Sequence, residues 1–291
     1  GGAYPDLATW FAAEPTPFYY LARLLSVAYT LLALPLTYHI GRRVFTPTTG
    51  LVGATLLLTY PNVLFHIKSV RTDGVGMTFA LLAIWACLQV YQRPTLRRQL
   101  WAGISLGLGI ASRYFLVLFT PLLLWLSWWA WQKADHKGAW RRQVGALSAA
   151  LVLLGASFAL STPYFFLDFS HAWQGLLTEG RSTHPGADGL SPVQNFFWYF
   201  GQIARSEYGF VQSVFAGVGL CTMLVRRRLL PLSVLGSALL FLVGIALSPL
   251  HWLRWALPIF PIAALISAHG LVTTVDLVTQ ARPKLAYAFL L

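Results

Sequence analysis

The sequence predicts an all-α integral membrane protein, a bundle of about nine spans with the start of a tenth, and three observations carry that prediction. Hydrophobic residues make up 57% of the chain and the mean hydropathy is +0.62, whereas soluble domains stand near about 45–50% apolar. Apolar runs rich in Leu, Ala, Val, Trp and Phe recur about every 20 to 30 residues, a length suited to helices crossing about 30 Å of hydrocarbon. No run shows the two-residue alternation of a membrane barrel strand, so helices, which satisfy their own backbone in lipid, are the expected element.

In chain order, residues 1–17, with Pro5, Pro15 and Pro17, read as the end of an outer loop. The first part of the bundle is 18–163, with spans at 18–40, 50–65, 74–91, 100–112, 114–131 and 145–162. Pro35 and Pro61 are candidate kinks. Residues 164–206 are too long and too aromatic for a plain connector. Phe166, Phe169, Trp173, Leu176 and Leu177 fall at helical spacing opposite Asp168 and Glu179, which predicts an interfacial amphipathic helix. A turn follows at 184–189, and the aromatic run 195–200 has the composition of a membrane-interface belt. The second part of the bundle, 207–272, holds spans at 208–225, 229–248 and 255–272, and 273–291 reads as a cytoplasmic loop and the start of a further span. Gly1 follows no basic leader and 285–291 opens an apolar run, so the expectation is a chain cut at both ends.

Charge fixes the expected orientation. With the N-terminus outside, the inner loops hold Arg42, Arg43, Arg93, Arg97, Arg98, Lys133, Lys137, Arg141, Arg142, Arg226, Arg227, Arg228, Arg282 and Lys284, which is 14 of the 21 basic residues. Seven of the nine acids fall on the other side, and the positive-inside rule selects this arrangement. The net charge of +12 is therefore explained by topology, and no nucleic-acid partner is expected. Cys87 and Cys221 lie inside apolar runs and imply neither a disulfide framework nor a metal site. No internal repeat, phosphate-binding loop or dinucleotide fingerprint is present, so no cofactor is expected.

The most informative stretch is 62–74, NVLFHIKSVRTDG, which packs His66, Lys68, Arg71 and Asp73 into eight residues of a chain that is only 10% charged. Ionisable groups at a bilayer are expensive and tend to mark function. Together with Arg113, the run Asp168 to His184, and His251 to Arg254, they make four clusters at one expected depth. Such a basic set with few acids suits an anion such as a phosphate, for which Arg supplies planar, bidentate donors. The plainer reading of each cation is snorkelling to lipid headgroups. Asp73, two residues from Arg71, needs a partner or a task. The histidines lack zinc-ligand spacing.

Arg113 draws attention through helix length as well. The run 100–131 has basic flanks on both sides, so it goes out and returns within 32 residues. At about 1.5 Å per residue, that is short of the roughly 60 Å that two crossings require. Its apex, Arg113, is expected below the outer surface, lining a cavity.

Three runs resemble the polytopic glycosyltransferases of the C-type (GT-C) fold: GLVGATLLLTYPNVLFHIKSVRTDGVGMTFALLA at 50–83, GISLGLGIASRYF at 103–115 and LRWALPIFPIAAL at 253–265. The nearest branches are the protein O-mannosyltransferases and the lipid A aminoarabinose transferase. The resemblance implies a GT-C-like bundle that moves a sugar, with inversion, from a polyprenyl-phosphate-linked donor to a lipid, glycan or protein acceptor. The reaction would take place at the outer face of a bacterial cytoplasmic membrane. It implies Arg71 and Asp73 as catalytic residues and Arg113, with Tyr114 beside it, at the lipid-linked phosphate. Arg254 matches a late R-[YW]-x-x-P pattern, and His66 and His251 are further substrate-binding candidates. No metal is implied. One departure stands out: the family's acidic catalytic motif sits in an outer loop well upstream of 18–40, and Asp6 does not match it. The catalytic base is therefore expected outside this sequence.

Two other classes compete. A transporter or flippase of an anionic lipid or glycan predicts inverted repeats with helices broken at mid-membrane. A non-catalytic membrane scaffold predicts that the polar residues scatter. Convergence of Arg71, Asp73 and Arg113 in one cavity would favour the transferase.

Overall fold

A computed structural model of the chain describes residues 6–133, 140–179 and 188–281. It is an all-α polytopic bundle, with no strand among the described residues. The first helices are α1 Leu7–Ala13, α2 Thr16–Val44, α3 Pro47–Leu57, α4 Pro61–Ile67, α5 Thr72–Gln92 and α6 Leu96–Ser112. A 3-10 stretch, Tyr114–Phe119, leads into α7 Thr120–Lys133, followed by α8 Trp140–Ser161, α9 Pro163–Leu167, α10 Phe169–Glu179 and α11 Pro192–Gln202. A π-helical stretch, Ile203–Tyr208, joins α11 to α12 Gly209–Arg226. Then come α13 Leu229–Ala246, a 3-10 stretch Leu253–Ile259, and α14 Phe260–Ala281.

Seven helical segments are long and apolar enough to cross a membrane, or eight if α3 and α4 count as one span bent by 65°. The remaining expected run is α6, whose 17 residues reach only about 25 Å at about 1.5 Å per residue. Residues 114–133 are longer than the sequence suggests, because their first six residues wind as a 3-10 helix, which rises about 2.0 Å per residue. The shortfall at the apex thus falls on α6 alone. Pro61 does more than kink its run: it opens α4 as a separate helix, since a proline lacks the N–H that continuation of α3 would require. The helix expected to begin at 208 instead runs back through the π stretch to Pro192.

Small residues decide which helices touch. A Cβ on Gly103 would stand 2.0 Å from the Ala150 carbonyl oxygen, and one on Gly107 would stand 2.3 Å from that of Leu154. The GISLG spacing therefore brings the backbones of α6 and α8 together, the usual device where lipid offers no hydrophobic drive between helices. α5 and the segment 253–281 are the most buried spans and form the centre, while α8 is the most exposed. Exposed Leu160 and Phe210 are what a lipid-facing surface presents.

Contacts among the helix ends give the bundle two chemically distinct ends. One collects Arg42, Arg43, Arg93, Arg97, Arg98, Lys133, Arg141, Arg142 and Arg226 to Arg228, and is tied together by Lys133 on Tyr91 and by Arg98 donating to the Gln89 carbonyl at 2.8 Å. The other carries His66, Arg71, Asp73, Arg113, His251 and Arg254. Lys137, Arg181, His184, Arg282, Lys284 and the expected tenth span lie outside the described residues.

Candidate functional site

The site is built on the first turn of α5. Asp73 is 2% exposed, and its position at a helix N-terminus favours its negative charge. Arg113, the residue that ends α6, donates from Nη2 to Asp73 Oδ1. α6 delivers the arginine there because the chain leaves the helix extended at Arg113 and turns at once into the 3-10 stretch, where Leu116 N–H donates to the Arg113 carbonyl at 2.9 Å.

The glycines after Asp73 make the space. A Cβ on Gly74 would stand 2.3 Å from Thr30 Oγ1, and one on Gly76 would stand 3.0 Å from Arg113 Cγ. The run DGVG thus lets α2 and the arginine stem lie directly against α5.

A third element completes the cluster. Arg254, in the 3-10 stretch before α14, lines a small void together with Asp73, Arg113, Phe115, Phe241, Trp255 and Pro258. The Arg254 guanidinium lies 5.1 Å from the Trp252 ring centroid, and Trp255 and Phe115 pack at 5.1 Å. Asp73 Oδ2 and Arg254 Nε are buried without a hydrogen-bond partner among the described residues. The void measures about 10 Å³, the size that holds about one water molecule. Arg71, exposed at the N-cap of α5, is close enough for its charge to act on both Arg113 and His66. Asp73 is thus paired with Arg113 and shares the void with Arg254, whereas Arg71 does not line it, and the balance of the cluster is cationic.

Residues 20–161 match the family described as dolichyl-phosphate-mannose-protein mannosyltransferase. That match and the helical architecture point the same way. The chain fits the GT-C membrane glycosyltransferases. The match supports an enzyme of the mannosyltransferase type; it spans just under half of the sequence and includes His66, Arg71, Asp73, Arg113 and Tyr114 but neither His251 nor Arg254. No curated protein and no solved structure matches the chain.

The remaining expected residues lie apart from the void. Tyr114 is 45% exposed, and its ring packs on Phe158 and Phe165, at 6.4 and 5.9 Å. The half-buried His251 ring lies 4.3 Å from Trp198, and its Nε2 stands 3.2 Å from Asp188 Oδ2. His66 sits at the end of α4 with Nδ1 buried and unpartnered among the described residues. Asp168 pairs with His171 at 2.7 Å in the open, and the histidine's hydrogen bond holds that carboxyl below the usual carboxylate range.

One feature of the chain has almost no signal in the sequence. Glu207, in the π stretch, is 6% exposed and accepts hydrogen bonds from the backbone and the side-chain amide of Asn62 at the start of α4. The only sequence signal is an acid, Glu207, placed against an apolar run.

Proposed function

We propose that this chain transfers a sugar from a polyprenyl-phosphate donor to an acceptor hydroxyl, with inversion, on the membrane face that carries Asp73 and Arg113. The observation that carries the proposal is the convergence of Asp73, Arg113 and Arg254 from three elements far apart in sequence into one buried, cationic cluster. A scaffold gives no reason for a second arginine, Arg254, to line the same void as the Arg113–Asp73 pair inside a bundle.

The chemistry follows from the charges. As the sugar–oxygen bond breaks, negative charge grows on the departing phosphate, and fixed donors aimed at it lower the barrier. Arg113 and Arg254 supply those donors. Asp73 holds the Arg113 guanidinium in place through Oδ1, while its Oδ2 stays buried beside the void. A carboxylate committed to an arginine is a poor general base, so Asp73 orients and does not deprotonate. The void is far smaller than a hexose, so the donor sits on the open side of the pair, where 25% of the Arg113 side chain is exposed. Arg71 and His66 border that side. The basic residues gathered at the opposite end support an outward-facing site by the positive-inside rule.

The matched family's description makes mannose the first sugar to test and a protein the first acceptor. Full-length protein in nanodiscs, given polyprenyl-phosphate mannose and candidate acceptor peptides, should transfer mannose. Asp73→Asn and Arg254→Ala should each lower turnover by at least about 100-fold. Wild-type turnover by both variants would reject the assignment.

A further inference from the structure

We infer that Glu207 is a positioning residue for this site: it fixes α4, and through α4 the turn that carries His66, Arg71 and Asp73. The inference rests on the glycosyltransfer reading above.

α4 cannot cap itself. Its N-cap residue is Tyr60, whose side chain makes no capping bond, and Pro61 follows. A helix start leaves several N–H groups without partners. Here the missing cap comes from 145 positions away: Asn62 N–H donates to Glu207 Oε2 at 3.3 Å, and Asn62 Nδ2 donates to Oε1. Ser206 Oγ adds a third bond to Oε1 at 3.1 Å.

The backbone around Glu207 is shaped to aim it inward. Each residue of an α-helix advances about 100°, so the wider π turn rotates everything after it. The π stretch ends at Gly209, with φ 63° and ψ −175°, a conformation open to glycine and strained for other residues. The surroundings are equally fixed. Tyr60 is fully buried and its hydroxyl accepts from Gln212 Nε2 at 2.7 Å, while the Gln212 carbonyl accepts from Ser267 Oγ at 3.0 Å. The clamp is thereby anchored to both α12 and α14. At its other end α4 runs through only four residues, 68–71, into the helix that holds Asp73.

The partners of Glu207 among the described residues are neutral. A carboxylate buried without a cation is a costly cap, and a serine or aspartate at position 60 would cap α4 more cheaply. The expensive solution leaves the α4 turn held from the π stretch ahead of α12, with its own residues free to face the donor.

The test uses the full-length protein with Glu207→Gln, Asn62→Ala, the double mutant, and the compensating pair Asn62→Gln with Glu207→Asp, which moves one methylene across the contact. Hydrogen exchange at 61–71 should speed up about tenfold in each single mutant, with α13 unchanged. Turnover should fall on the order of 10- to 100-fold, in kcat more than in donor KM. The double mutant should lose no more than the worse single, and the compensating pair should regain most of the rate. Unchanged exchange, additive losses, or faster exchange with wild-type kcat would each overturn the inference. If Glu207→Gln fails to fold, Asn62→Ala decides by the same readouts. If the wild type transfers no sugar, the glycosyltransfer reading fails, and the exchange data alone decide whether Glu207 orders the turn.

Discussion

Arg113 closes an ion pair on Asp73 across 40 positions of sequence, joining the end of α6 to the first turn of α5. Either residue alone would be costly there. Asp73 is 2% exposed, a carboxylate buried unpaired is expensive, and an arginine left facing lipid would cost at least about 2.5–3.5 kcal/mol.

The pair should therefore behave as a unit in stability. Arg113→Ala leaves the buried carboxylate uncompensated and should cost about 3–5 kcal/mol, whereas Arg113→Gln combined with Asp73→Asn should recover most of that loss. Thermal unfolding of the purified protein in detergent measures both. A double mutant as unstable as Arg113→Ala would show that the pair is not what holds α6 to α5.

Gly76 sets the position of Arg113. Because an added Cβ would stand 3.0 Å from Arg113 Cγ, Gly76→Ala should lower turnover by about tenfold or less. Gly76→Leu, which displaces the stem by about an ångström, should lower it on the order of 100-fold. Expression and melting of Gly76→Ala should stay near wild type. Full activity in Gly76→Leu would detach Arg113 from the reaction.

Gly103 tests packing without chemistry. Its Cβ would meet the Ala150 carbonyl at 2.0 Å, so Gly103→Leu should separate α6 from α8 and destabilise by about 1–3 kcal/mol. At temperatures where the variant remains folded, its turnover should exceed that of Gly76→Leu. The reverse order would make the α6–α8 contact part of the site.

Orientation is tested by cysteine labelling in sealed vesicles or cells. Thr178→Cys, on α10, should react with an impermeant maleimide from outside, and Arg142→Cys, at the start of α8, only from the cytoplasmic side. Labelling of Thr178→Cys from the cytoplasm alone would invert the topology.

Much of the fold was legible in the sequence because hydropathy is a local property: the nine apolar runs are helical, although 50–65 splits into α3 and α4 and two runs open with 3-10 turns. What the sequence hid were changes of winding. Nothing in 114–119 distinguishes 3-10 from α, yet the tighter turn lengthens that arm. It also steps about 120° per residue, which helps separate Tyr114, packed on Phe158, from Arg113, packed on Asp73. Likewise the π stretch that aims Glu207 at Asn62 has no periodicity to read, since it depends on Gly209 and on α4 being there to receive it. The polar clusters could be placed at one depth from charge and span length, but which charges meet is a matter of helix rotation. Asp73, Arg113 and Arg254 meet; His251 goes to Asp188, and Asp168 to His171.

The most direct measurement is the preference of the full-length protein for a lipid phosphate over the same lipid without it. Native mass spectrometry in nanodiscs, with polyprenyl phosphate competing against polyprenol of equal length, reads that preference for wild type, Arg113→Ala and Arg254→Ala. Hydrogen bonds to a charged group are each worth about 1.5–3 kcal/mol, so the wild type should favour the phosphate by at least about tenfold and each variant should lose most of that preference. Equal binding of the two lipids by the wild type, or a preference that survives both substitutions, would contradict the assignment of this cluster to the donor phosphate.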